Sequence, residues 1–217
     1  MNNKIFWLFT ILLMIEACTA DFFTHLKGTN PTVGIVLLHG RGRGGPDQHV
    51  IGTLRYALRN RLGISTMAPL LPYLDPNANE HELNLTEPAT LEVITGSIER
   101  LKDAGMTRIY LIGHSRGAWA VARYITTVKN PIVVGAVLIG AAYWVNLPNI
   151  EVPVLDVYGT AEPRRVLIGA ERRRLQFSDQ PIYRQVSIDG ADHLMYGHEE
   201  QLINAIATWI GNLEKRK

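Results

Sequence analysis

Gly113-His114-Ser115-Arg116-Gly117 sets a serine between two glycines. An apolar stretch, Arg108–Ile112, precedes it, and a helical pattern from about Arg116 to Val128 follows. A serine on a tight strand-to-helix turn is the arrangement of a nucleophile elbow. Gly113 and Gly117 supply space, because side chains two residues to either side would collide with each other or with neighbouring strands. The hydroxyl then stands above the sheet at a helix N-terminus, where the backbone dipole favours developing negative charge. Such a hydroxyl attacks a carbonyl only when a base removes its proton. His193 is the candidate base. It lies in Asp189-Gly190-Ala191-Asp192-His193, a turn-rich loop between a strand and the last helix. Imidazole suits the role because it titrates near neutrality. His198 is the weaker candidate, because it reads as part of the following helix. His39 and His114 flank glycine turns and suit support by hydrogen bonding, while His25, His49 and His81 carry no motif. The plainer readings are a helix-capping serine and an exposed loop histidine.

The elements that must position these groups are legible as apolar runs. Val33–Leu38 reads as a strand buried on both faces, followed by a glycine-rich loop over 40–45. A helix is predicted over 47–61 and a short strand over Ile64–Ala68. Residues 69–88 hold four prolines and read as loop. A helix over 89–104 stops at Gly105. Strands are predicted at 108–112, Ile132–Ile139, Val152–Tyr158 and Tyr183–Ile188, with helices at about 116–128, 164–177 and 198–213. Strands alternating with helices imply a parallel sheet covered on both faces, in one domain.

Composition narrows the partners. The chain has 217 residues, 47% of them hydrophobic and 19% charged, which is ordinary globular usage. Its net charge of +2 is too slight to imply nucleic acid. The single Cys, Cys18, excludes a disulfide framework and a cysteine zinc site. Met1–Lys4, an apolar run over 5–15 and the small residues of Ala17-Cys18-Thr19-Ala20 have the layout of a secretory signal peptide. The run is too short to span a bilayer, which needs about 20 residues. Cleavage after Ala20 would leave a body of 21–217, periplasmic or secreted. Ile15-Glu16-Ala17-Cys18 also resembles a lipobox, which would put a lipid on Cys18, although Glu16 departs from that pattern. An uncleaved anchor is the third outcome. Beyond that leader or lipid, no membrane association is expected, and the oligomeric state is not legible.

From Val33 onward the chain resembles the α/β-hydrolase superfamily. The resemblance rests on Leu38-His39-Gly40 after an early strand, Gly113–Gly117 at the elbow, Gly159-Thr160-Ala161-Glu162 after a late strand, and Ala191-Asp192-His193 after the last. Their order is that of the family: oxyanion loop, serine, acid, histidine. It implies the α/β-hydrolase fold, a mostly parallel sheet with helices on both faces, and the short length leaves little room for a large cap domain, so none is expected. It also implies that Ser115 is the nucleophile, His193 the base and Glu162 the acid that orients His193. Most members carry Asp where Glu162 stands. Asp156 is the rival acid, because it sits within an apolar strand; Asp192 adjoins His193 and would have difficulty facing its ring. The backbone N–H groups of Arg41 and Arg116 are the expected oxyanion donors.

Other readings of these residues are weaker. Gly40–Gly45 matches G-x-G-x-x-G, but 62–68 lacks the carboxylate that dinucleotide binding needs. His193 and His198 are five apart, the wrong spacing for a helical metal pair. No cofactor and no metal are therefore expected. The side chains of Arg41, Arg43 and Arg116 either favour an acidic substrate group or are simply solvated. Glu171-Arg172-Arg173-Arg174 reads as a solvated helix face. Trp119 reads as core, and Tyr143 and Trp144 as acyl-pocket wall or simple packing. The expected activity is hydrolysis of a carboxylic ester on a small acyl substrate, through an acyl-enzyme. A thioester or amide is the alternative with the same machinery, and a non-catalytic envelope binding protein is the alternative without it.

Overall fold

The computed structural model describes residues 23–42, 44–178 and 180–215. The leader with Cys18, and Arg43, lie outside the described residues. Seven strands form one sheet: β1 Phe23–Leu26, β2 Val33–Leu38, β3 Ser65–Pro69, β4 Arg108–His114, β5 Val133–Ile139, β6 Val154–Gly159 and β7 Tyr183–Ile188. Their spatial order is β1-β3-β2-β4-β5-β6-β7. Every pair is parallel except β1 with β3 at the edge. The helices are α1 His49–Leu62, α2 Glu80–Leu85, α3 Glu87–Asp103, α4 Arg116–Thr127, α5 Arg164–Gln176 and α6 Glu199–Lys215.

The unbroken apolar runs follow from burial on both faces. In β2, Val36 and Leu38 pack with α3 and α4, while Ile35 and Leu37 pack with α1 and α6. The same alternation runs through β4 and β5. Trp119 lies in the core of the α3–α4 side, as expected. Residues 140–153, between β5 and β6, contain no helix, so no cap domain is inserted there. Among the described residues no helix is long and apolar enough to cross a membrane.

Two elements escaped the sequence pattern. β1 is a four-residue edge strand whose register pairs Phe23 with Pro69 and Leu26 with Thr66. Inside 69–88, read as loop, stands α2. It begins with a capping box: the Asn79 side chain accepts from the Glu82 N–H at 3.0 Å, and the Glu82 carboxylate accepts from the Asn79 N–H at 2.8 Å.

Asp156, on β6, is fully buried and points to the α5 side. Its Oδ2 accepts from Arg173 Nε at 2.7 Å, Tyr183 O–H at 2.6 Å and Gln185 Nε2 at 3.1 Å. Arg173 also donates to the carbonyls of Ala141 and Ala142 at 2.9 and 3.2 Å. Glu171–Arg174 is therefore not a uniformly solvated face. Arg174 pairs with Glu171 at the surface, whereas Arg173 turns inward and fastens α5 to β6 and to the chain after β5. Burial and the adjacent Asp156 carboxylate hold the Tyr183 phenol well above its ordinary range. Removing one partner of such a pair leaves an uncompensated buried charge, at a cost of about 3–5 kcal/mol. Arg173→Met is expected to lower the unfolding free energy by about that amount, measured by urea titration at pH 7.

Candidate active site

The C-terminal ends of the parallel strands converge at one edge. Leu38 pairs with Gly113, His114 with Ile139, and Gly159 with Ile188. The four loops that follow therefore open side by side, which is where open α/β sheets place ligands.

Ser115 sits between β4 and α4 with φ 55° and ψ −110°, a strained conformation for a residue with a side chain. The elbow is possible only without side chains at its flanks. A Cβ on Gly113 would fall on the backbone of Gly117, and one on Gly117 would fall on the carbonyl of Leu38 in β2. The Ser115 N–H is tied to Ile139 O at 2.8 Å, which anchors the turn to β5.

His193 reaches the elbow from the loop after β7. Its Nε2 lies 3.0 Å from Ser115 Oγ, and its Nδ1 lies 2.6 Å from Glu162 Oε2. The carboxylate can only accept, so Nδ1 carries the hydrogen and Nε2 is free to accept from the serine hydroxyl. The Glu162 side chain is fully buried, and that of His193 is 23% exposed. The structure thus brings Ser115, His193 and Glu162 into one hydrogen-bonded chain. Asp156 makes no hydrogen bond to His193; its Oδ2 is held by Arg173, Tyr183 and Gln185 instead. Asp192 is engaged elsewhere as well. Its Oδ1 accepts from the Leu194 and Tyr196 N–H groups and closes the turn.

The loop bearing Glu162 and the loop bearing His193 are stitched together. Thr160 N–H donates to Ile188 O, Ala161 N–H to Ala191 O, and Gly190 N–H to Thr160 Oγ1. His114, at the end of β4, adds a fourth tie, to the loop bearing His193. Its Nε2–H donates to the His193 carbonyl at 2.8 Å. His39 braces the first loop: Leu71 N–H donates to its Nε2 at 2.9 Å, which leaves Nδ1–H to donate to Gly40 O. Both histidine rings are engaged in holding loop backbone. His198 stands just before α6, with its ring on Tyr196 O.

Two further groups belong to no sequence motif. Gly140, directly after β5, has φ +60°, and a Cβ there would sit 2.8 Å from Glu162 Oε1 and 3.0 Å from the His193 ring. The acid–imidazole pair fits only against a bare backbone. Gln48 clamps the early loop. Its Oε1 accepts from Gly40 N–H and its Nε2 donates to Arg41 O, both at 2.9 Å. Both flanks of the Gly40–Arg41 peptide are thereby held. Neither the Arg41 nor the Arg116 N–H donates a hydrogen bond among the described residues.

These groups line a cavity of about 530 Å³, together with His49, Leu83, Trp144, Arg165, Val166 and Tyr196. Trp144 is part of the wall, while Tyr143 stacks edge-on against it outside. The Arg116 side chain turns away from the cavity, to Pro72 O at 2.6 Å and to the hydroxyls of Thr86 and Thr90. Among the described residues no group of three or more His, Cys, Asp or Glu is placed to hold a metal ion.

Residues 35–209 match the alpha/beta hydrolase family. The chain belongs to that family. No curated protein matches it by sequence. Among solved structures it is similar to an α/β serine hydrolase without lid from Xanthomonas campestris, with 14% identity, a TM-score of 0.70 and 88% of each chain covered. It is similar to an alpha-beta serine hydrolase homologue from Coxiella burnetii, with 16% identity and a TM-score of 0.68 over 86% of this chain and 89% of that one. It is also similar to Est1E from Butyrivibrio proteoclasticus, solved with ferulic acid bound, with 15% identity and a TM-score of 0.69 over 88% of this chain and 94% of that one. At these identities the likeness shows the fold.

The buried histidines give the site a pH signature. Burial, with a smaller push from His193, lowers the His114 pKa from 6.5 to about 3, and burial lowers His39 too. Between those values the unfolded chain holds the extra proton, so the contribution of His114 is complete above pH 6.5 and is lost as pH falls toward 3. A single group of this kind contributes a slope of up to about 1.4 kcal/mol per pH unit within the window. Unfolding free energies measured from pH 7 to pH 4.5 are expected to fall, and to fall less steeply in His114→Gln.

Proposed function

We propose that the protein is a serine hydrolase that cleaves a carboxylic ester through an acyl-enzyme. The observation that carries this reading is the continuous chain from Ser115 Oγ through the His193 ring to the buried Glu162 carboxylate. Ser115 Oγ attacks the ester carbonyl while His193 Nε2 takes its proton. The negative charge on the former carbonyl oxygen falls toward the Arg116 and Arg41 N–H groups, which have no competing acceptor among the described residues. When the tetrahedral centre collapses, His193 returns the proton to the departing alcohol oxygen. Water then takes the place of the alcohol. His193 removes its proton, the hydroxide adds to the acyl carbon, and Ser115 Oγ leaves with that proton. Glu162 keeps the hydrogen on Nδ1 and stabilises the transient imidazolium; a glutamate reaches as an aspartate would, from a backbone one methylene further away.

The same sequence of proton transfers serves a thioester or amide, and the cavity selects among them. In this reading Gln48 is a positioning residue for the first oxyanion donor.

A fluorophosphonate probe tests the reading. It is expected to label Ser115 covalently, with labelling lost in Ser115→Ala. Ester turnover is expected to fall at least about 100-fold in Glu162→Ala and far less in folded Asp156→Asn. Properly folded protein that takes no label and turns over no ester would instead be a binding module.

A further inference from the structure

Arg41 and Arg165 bring positive charge to the cleft, the Arg116 guanidinium lies buried behind its wall, and none of the three forms an ion pair with a carboxylate among the described residues. Arg116 is 3% exposed, and its guanidinium meets a carbonyl and two hydroxyls but no carboxylate among the described residues. Its Nε has no hydrogen-bond partner among the described residues. Arg41 spends one N–H on Ala78 O and lies 5.8 Å from the centre of the Trp144 ring. Arg165, in the first turn of α5, makes no ion pair or hydrogen bond among the described residues and lines the same cavity as Ser115. Arg41 stands between the other two in electrostatic reach, close enough to feel each of them. Burial and then Arg41 push the Arg116 pKa down to about 10, and burial and then Arg165 lower that of Arg41.

The nearby carboxylates are engaged elsewhere. Glu162 holds His193, Glu87 pairs with Arg123, and Glu82, which attracts Arg41, closes the α2 capping box. Two helix N-termini, those of α4 and α5, also point their positive ends at this edge, and neither first turn holds an acidic residue. Arg164 and Arg165 stand in the α5 first turn against that dipole. Mutual repulsion of this kind is a standing cost that a bound anion relieves; Arg165 is exposed and Arg41 only partly buried, so the site is open to a charged group from solvent.

We propose that the substrate carries an anionic group, a carboxylate or a phosphate, held between Arg41 and Arg165 beside Trp144 while its ester carbonyl lies at Ser115. This rests on the reading of Ser115 as the reacting group. It narrows the substrate to an ester with a charged acyl or alcohol part. Arg165 selects by charge and touches no reacting bond.

Two ester substrates that differ in charge test it: p-nitrophenyl hemisuccinate and p-nitrophenyl butyrate, with spontaneous hydrolysis subtracted. The wild type is expected to favour the hemisuccinate in kcat/KM by about tenfold or more, about 1.4 kcal/mol. Arg165→Gln is expected to erase most of that ratio, Arg165→Lys to keep part of it, and Arg165→Glu to invert it. A wild-type ratio at or below one, or a ratio unchanged in Arg165→Gln, overturns the proposal. Calorimetric titration of Ser115→Ala with succinate and with inorganic phosphate reads the same site without turnover. Binding weakened about tenfold by adding Arg165→Gln supports it, and whichever anion binds tighter names the group. No binding of either anion overturns it. Binding without turnover would sink the hydrolase reading and leave the anion site standing. Turnover of the neutral ester without charge selectivity would do the reverse.

Discussion

Everything at the strand ends depends on backbones that touch without side chains between them. Gly117 lies against the Leu38 carbonyl, and Gly113 against Gly117, so β2, β4 and the first turn of α4 share one small volume. That crowding forces Ser115 into a positive-φ conformation that its own side chain resists, a strain of about 1–3 kcal/mol. The surrounding core holds the turn in place, with Leu38, Ile112, Ala118 and Val121 all fully buried. The strain has a geometric return. It lifts the hydroxyl off the sheet and lays the next amide beside it, both fixed before any ligand arrives.

The opposite half of the site is held by softer means. Glu162 and His193 stand on separate loops, and their meeting relies on hydrogen bonds between 159–161 and 188–191, and on His114 holding the His193 carbonyl. Gly140 contributes by omission, since any side chain there would press on both partners. A rigid hydroxyl thus faces an imidazole whose placement is set by a network of loop hydrogen bonds. Burial keeps His114 uncharged, so the network sets no positive charge beside the His193 ring.

Much of this was legible in the residues themselves. β2, β4 and β5 are largely apolar or β-branched runs whose ends coincide with Gly, Pro or turn residues, and the pentapeptide around Ser115 lies where a strand gives way to a helix. What escaped has physical reasons. β1 is only four residues long and pairs with a partner about forty positions away, so nothing local announces it. α2 is hidden among prolines, and only the Asn79–Glu82 spacing betrays it. Asp156 in an apolar strand looked anomalous, and it is; its explanation is Arg173, which a charge run on α5 concealed because three adjacent arginines read alike. Gln48 and Gly140 were silent, since one amide and one glycine have no spacing pattern that distinguishes them.

Arg116 illustrates how one position becomes overcommitted. Its amide faces the elbow, while its guanidinium reaches Pro72, Thr86 and Thr90 and so fastens the segment that roofs the cleft. An exchange at that codon would be pleiotropic, disturbing chemistry and architecture in a single step. Divergence toward new compounds has freer routes through Leu83, Trp144 or Val166, which border the cavity and do not carry that double duty.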